Sequence, residues 1–285
     1  LHETQNHRNN KEYFSYNELL IHCLLYKNIS TDTEGEMIKI TALGTNGWFD
    51  TQTGSTTCMM IQTSEYTIVL DAGYGITKIK QLVDFSKPAY IFLSHLHLDH
   101  IIGLHTLDYV KFELPLTIVA PLQGKKALLE ILRPPYTTDW KRVPYEVKVL
   151  EAEEIASSGF PFQVKALPLI HAVPDTGYRF EIEGKVIAFL LDTGYCENAV
   201  ALAKDADFVI TECGMLPGDV QPGWPHMNPE VAAKLAVDSG ARQMLLIHFG
   251  AGAYDTIEKR QHAVDTGRSI YPNLIMGLDN MEFIL

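Results

Sequence analysis

The stretch "IFLSHLHLDHIIG", residues 91–103, decides the fold. It opens as an apolar run and then sets three histidines and an aspartate within six residues: His95, His97, Asp99 and His100. The run "YIFL" has the β-branched and aromatic character of a buried strand, so the polar cluster falls at a carboxyl end, where α/β proteins carry their chemistry. Side chains alternate along a strand, which predicts that His95 and His97 point the same way while Asp99 and His100, in the following turn, face a second point nearby. Imidazole nitrogens and carboxylate oxygens are ligands that zinc accepts, as do iron and manganese to some extent. Two adjacent metal sites are expected. With 11 histidines in 285 residues, chance produces this spacing in about one such chain per thousand, so a set of unrelated hydrogen-bonded histidines is the weaker reading.

On either side the chain alternates strands and helices. "IKITALG" (38–44), "TCMMIQT" (57–63), "YTIVLDAG" (66–73) and "LTIVAP" (116–121) read as strands, and "GKKALLEILR" (124–133) as the first clear helix. A second set follows in "FQVKALPL", "YRFEIEG", "KVIAFLLDTG", "DFVITE" and "QMLLIHF", with helices at "CENAVALAKDA" and "NPEVAAKLAVDSG". The last has Asn228 placed to cap it, Pro229 at its first position and Gly240 to end it. "IVLDAGYG" (68–75) and "FLLDTGYC" (189–196) share a strand that ends in Leu-Asp-x-Gly-Tyr. Two similar halves, each a sheet with helices outside, would produce that echo. The expected architecture is α/β, a four-layer αββα sandwich of two mixed β-sheets.

Composition bounds the function. A chain with 46% hydrophobic residues can bury a large core, and a net charge of −12 works against holding long nucleic acid through its phosphates. Four scattered cysteines without CxxC spacing suggest neither a disulfide framework nor a thiolate zinc site, and point to a reducing cytoplasm. No apolar run reaches the roughly 20 residues that span a bilayer. "LLIHCLLY" (19–26) is interrupted by His22 and lacks a cleavage site, so neither export nor a membrane role is expected. Residues 1–36 are polar, and Met37 sits where a start codon would. They are expected to be an N-terminal extension or an upstream-start artefact, with a short docking helix near 15–26 as the other reading. The hydrolase domain is expected to be 37–285.

The motif "SHLHLDH" resembles the signature of the metallo-β-lactamase superfamily, and the resemblance covers nearly all of 37–285. It implies that His95 and His97 hold a first metal with His171 of "LPLIHAVPDTGYRF". It implies that Asp99 and His100 hold a second with His248 of "MLLIHFG", and that Asp192 of "FLLDTGYC" bridges the two. Asp71 is similar to an early strand-end aspartate that braces the metal loops rather than touching metal. Glu212 reads equally as a support for the metal shell or as a strand-end carboxylate satisfied by backbone donors, and His2, His7, His22, His105 and His262 as structural. Two divalent ions are implied, Zn²⁺ first, with Mn²⁺ or Fe²⁺ open.

Departures from the family's patterns narrow the branch. Asp192 stands where classical zinc β-lactamases carry cysteine, and His97 where flavodiiron members carry glutamate. "AVPDTGYRF" replaces the T-P-G-H-T segment of glyoxalase-type thioesterases and many lactonases. His171 followed by Gly-Tyr-Arg, and "HMNPEVAAKLAVDSGARQMLLIHF", are similar to the ribonuclease Z-like phosphodiesterase branch. That likeness makes His226 a non-ligand that meets the phosphoryl group and protonates the leaving oxygen. Asp99, besides binding metal, would orient the nucleophile, a hydroxide generated between the metals. No basic arm is present, and "IIGLHTLDYVKFELPLT" runs from the motif to the next strand without the Leu-Pro-Gly segment of bacterial ribonuclease Z, so a small phosphodiester or nucleotide is expected before transfer RNA. A carboxylic ester or lactone hydrolase is the alternative on the same site, and a non-catalytic scaffold the weaker one. The loop "RPPYTTDWKRVPY" (133–145) reads as a base-stacking lid or as a surface loop packed on the sandwich. A homodimer is implied by resemblance alone.

Overall fold

Alternation along the strands sets the layers. The computed structural model describes residues 37–221 and 223–285, so the expected extension 1–36 lies outside the described residues. In Thr67–Leu70, Ile68 and Leu70 face a central core while Val69 faces outward. In Lys185–Leu190, Ile187 and Phe189 enter that same core while Ala188 and Leu190 face the other way. Two sheets therefore close on one shared apolar layer, and each turns its second face to helices.

The first sheet has seven strands, in the order Glu282–Ile284, Lys39–Gly44, Cys58–Gln62, Thr67–Leu70, Ala89–Phe92, Leu116–Ala120 and Val147–Glu151. Pairing is antiparallel as far as Thr67–Leu70 and parallel beyond it. The second sheet has six, in the order Leu274–Met276, Met244–Ile247, Phe208–Glu212, Lys185–Leu190, Thr176–Ile182 and Gln163–Pro168. Here pairing is parallel through Lys185–Leu190 and antiparallel beyond. Both sheets are mixed, and the αββα expectation holds. The two strands of the Leu-Asp-x-Gly-Tyr echo occupy equivalent places, each with one antiparallel and one parallel neighbour.

Helices α1 (Glu197–Ala203) and α2 (Pro229–Ser239) cover the second sheet through Ala199, Leu202, Ala232, Leu235 and Ala236. The end signals of α2 work as the sequence suggests. Asn228 Oδ1 accepts from the Val231 amide at 2.8 Å, and Gly240 closes the helix in the left-handed region at φ 68°. Helix α3 (Ile257–Arg268) and the strands at 147–151, 274–276 and 282–284 went unread in the sequence, as did the 3₁₀ segments at 74–81 and 102–109. In the 133–145 loop, Trp140 and Tyr145 pack against the outer core of the first sheet, and Tyr145 Oη donates to Leu107 O at 2.6 Å. That fits the packed-loop reading.

Phe92 centres the shared layer, with ring contacts at 5.0–6.1 Å to Phe160, Phe162, Tyr178 and Phe180. Phe92→Ala is expected to destabilise the protein by about 3–5 kcal/mol. A fall in the urea midpoint with an unchanged denaturant slope is the check.

Candidate metal centre

The strand that carries the motif ends at Phe92, not at His95. The chain then turns, and His97 becomes the residue before a single helical turn, Leu98–Ile101, which holds Asp99 and His100. His95 and His97 lie beyond the strand's end, yet extended backbone at His97 keeps the two rings on the same side, as the sequence suggests. His95 Nε2 lies 2.9 Å from His97 Nδ1, which is 3.2 Å from His171 Nε2. A second group forms beside it, where His248 Nε2 lies 3.2 Å from His100 Nε2 and 3.3 Å from Asp99 Oδ2. Asp192 Oδ2 stands between the groups, 3.0 Å from His248, 3.4 Å from His100 and 4.0 Å from His95. All seven residues singled out from the sequence are brought to one place.

Backbone geometry aims them. Asp71 and His248 follow strands of different sheets and both adopt positive φ, 56° and 47°, which turns each side chain back toward the cluster. His248 packs so closely on Gly47 that a Cβ there would come within 2.5 Å of its ring. Glycine is required at that point.

Buried carboxylates hold the far side of the imidazoles. Asp71 Oδ2 lies 2.7 Å from His100 Nδ1 and also accepts from Ser94 Oγ at 2.8 Å, which fits the bracing role expected of it. Asp175 Oδ2 lies 3.1 Å from His95 Nδ1. A proton held on Nδ1 by a carboxylate leaves the Nε2 lone pair facing inward. In His100 and His95 the inner nitrogens face other imidazole nitrogens and Asp192 at close range, an arrangement that bound cations would satisfy. Asp192 Oδ1, His171 Nδ1 and His248 Nδ1 are buried without hydrogen-bond partners, as expected of atoms built to serve or support metal. Burial holds the His95 imidazole well below its ordinary pKa and pushes His171 down to about 4, so both are neutral and ready to ligate. Asp192 is fully buried, which opposes ionisation, yet His248 and His100 outweigh this and hold its carboxyl well below the usual range.

His226 lies above the cluster. Its ring is parallel to that of His248 at 6.0 Å and lies 5.0 Å from His171. Nδ1 faces both oxygens of Glu212, at 2.9 and 3.0 Å. Glu212, fully buried, also accepts from the amides of Thr193, Gly214 and Met227, which is the backbone-satisfied reading of this residue, and its side-chain partner is His226 rather than a ligand of the cluster. Burial disfavours a charged His226, but Glu212 outweighs it and raises the ring to about 9. His105 is exposed and contacts Ile102 O, and His262 is exposed on α3, both away from the cluster. His2, His7 and His22 lie outside the described residues.

Two supporting residues escaped the sequence reading. Asp175 gave no local signal. Arg260 on α3 is fully buried, donates to Thr45 Oγ1 at 3.0 Å and Thr53 Oγ1 at 2.9 Å, contacts Asn46 Oδ1, and lies 4.6 Å over the Phe249 ring. Its signal was present: 260, 263, 264 and 267 form the buried stripe of that helix. Arg260 ties the segment after the first long strand to the residue following His248. That segment, at Asn46–Gly47, pairs with Phe249–Gly250, and the Trp48 amide donates to Asp99 Oδ2 at 2.7 Å.

Comparison with known proteins gives a family model, the beta-lactamase superfamily domain, that matches residues 66–249. The chain is 27% identical to the probable metallo-hydrolase YhfI of Bacillus subtilis over 81% of its length and 95% of that protein. The crystal structure of YhfI superposes with a TM-score of 0.74 at 20% identity, over 88% of this chain and all of the other. Ribonuclease Z of Methanosarcina mazei is 23% identical over 86% of this chain and 97% of its own. Yeast PDE1 shares the fold, with a TM-score of 0.68 at 15% identity over 88% of this chain and all of the other.

Asp71→Asn keeps the shape of the brace but weakens its hold on the Nδ1 proton of His100. Divalent metal affinity is expected to fall about 10- to 100-fold, measured by competition with a chromogenic chelator.

Proposed function

This chain belongs to the metallo-β-lactamase superfamily, and on that premise we propose that it is a dinuclear metal-dependent hydrolase of small phosphodiesters. In this reading His95, His97 and His171 hold one ion, Asp99, His100 and His248 the other, and Asp192 serves both. Zn²⁺ suits the donor set best, with Mn²⁺ and Fe²⁺ as alternatives. Two such ions supply Lewis acidity, drawing charge from phosphoryl oxygens and lowering the pKa of water to about 7.

The observation that carries the reading is the Glu212–His226 pair. A protonated imidazole above a metal cluster, held there by a buried carboxylate, is placed to donate to a departing alkoxide. The contacts of Asp99 fall on Oδ2, which leaves Oδ1 to orient the attacking water or take its proton. No serine or cysteine nucleophile is needed, and Cys58 and Cys213 are buried with thiols pushed up by burial. Relatives named ribonuclease Z and a neighbour named PDE1 support phosphodiester chemistry. The net charge of −12 supports a small substrate over a long nucleic acid. The same reading sets the protein in a reducing cytoplasm, which its free cysteines favour. Among the described residues no helix is long and apolar enough to cross a membrane.

The test compares bis(p-nitrophenyl) phosphate, p-nitrophenyl acetate and a simple lactone after loading with Zn²⁺ or Mn²⁺. Diester cleavage abolished by chelation and by Asp192→Ala supports the proposal. Acyl hydrolysis alone, indifferent to His226→Ala, would replace it with an esterase or lactonase. His226→Ala is expected to lower kcat about 10²- to 10⁴-fold on diesters with alkyl leaving groups. The effect should be smaller with nitrophenolate, which departs with little need of a proton.

The pH profile follows from the sign of the His226 shift. The active, protonated ring is present at low pH and lost as pH rises through its raised pKa, so kcat falls on the alkaline side. That limb should lie at or below about 9, because bound cations oppose the charged ring. Glu212→Gln removes the stabilising charge and is expected to move the limb to lower pH.

A further inference from the structure

The segment that Arg260 clamps is rigid at its base and apolar at its tip. Besides the Arg260 contacts, Asn46 Nδ2 donates to Phe49 O at 3.1 Å and Thr51 Oγ1 at 2.9 Å, and the Thr56 amide donates to Asp50 Oδ1 at 2.6 Å. Yet Trp48 is 73% exposed, Phe49 is half exposed, and Trp48 holds a left-handed backbone at φ 78° that a bulky residue rarely adopts. A buried cation and a strained residue thus serve to present a large ring to solvent beside Asp99. Across the His248 and His226 rings, which are parallel, Trp224 lies 5.3 Å from His226 and is 47% exposed. Trp48 is thus tied to the cluster through its amide on Asp99, and Trp224 through its ring beside His226, the proton donor. Around them Leu98 and Ile170 are also exposed. Among the described residues, no lysine or arginine forms an ion pair with the cluster.

We propose that Trp48 and Trp224 form aromatic walls that stack a planar ring of the substrate, so that the preferred diesters carry a nucleobase rather than an aliphatic substituent. The proposal rests on the phosphodiesterase reading. Stacking suits the site because every base offers a π-face, while the single charge of the diester falls to the metals. It also accounts for large apolar rings held rigidly at an acidic cluster, where scattered surface hydrophobes need no such anchoring.

The experiment measures adenosine 5′-monophosphate against ribose 5-phosphate on the metal-loaded protein, as inhibitors of bis(p-nitrophenyl) phosphate hydrolysis and by quenching of tryptophan fluorescence. The nucleotide is expected to bind roughly 5- to 150-fold more tightly than the sugar phosphate. Trp48→Ala and Trp224→Ala should each shrink that ratio while leaving the affinity for ribose 5-phosphate in place, since both keep the backbone amides. Trp48→Phe, which keeps a π-face, should retain most of the preference. Equal binding of the two ligands by the unaltered protein overturns the proposal, as does a preference that survives both alanine variants. Rings that instead govern self-association would show in sedimentation, with the variants altering oligomeric state and leaving the nucleotide ratio unchanged, and that too overturns it. If no diester is cleaved, the function reading fails by itself, and the fluorescence ratio still decides whether the walls exist.

Discussion

Asp192 is where the two sheets meet chemically. One carboxylate oxygen, on a residue only 2% exposed, lies within 4.0 Å of imidazoles from the first sheet's loop and from the last long strand of the second. Bringing so many ionisable groups out of water is strongly unfavourable unless opposite charge is supplied at the same point. The surroundings answer that constraint. Asp71 and Asp175 hold the outer nitrogens of two rings, strand ends turn through left-handed backbone to reach inward, and Gly47 removes a Cβ so that one ring can seat. The fold serves as a frame for one crowded, dry junction.

One device appears three times with two results. A buried carboxylate faces Nδ1 of His95, of His100 and of His226. In the first two the inner nitrogen faces the crowded centre at Asp192. His226 is held above that centre instead, beside the rings of His171 and His248. What the second nitrogen faces, not residue type, separates ligand from acid.

That distinction explains what could be read in the chain. The His-x-His-x-Asp-His run is local, and its chemistry survives the loss of all context, so it was visible in the residues themselves, whereas its distant partners His171, Asp192 and His248 were placed only by the family resemblance. The caps of α2 and the alternation in the central strands were visible for the same reason, since each is set within a few residues. Asp175 was not, because its meaning comes from His95, eighty positions away in the chain and adjacent only after folding. Arg260 was hidden by the ordinary expectation that arginine faces solvent, although it occupies an apolar stripe. The strands at 274–276 and 282–284 are three residues each, too short for periodicity to register. The turn expected at Asp99 and His100 is a single helical turn, Leu98–Ile101, too short to show a helical period in the sequence.

The segment at 46–48 joins two sites in one piece of backbone. Gly47 lies against the His248 ring and the next amide grips Asp99, while the Trp48 side chain stands exposed to solvent. If metal ions and a stacked ligand both order this segment, their occupancies would be thermodynamically linked. Linkage is symmetric: the factor by which metal tightens a bound ligand is the factor by which that ligand tightens metal. A protein built this way would retain its ions best while it is working, and would be most easily stripped of them when its substrate is gone.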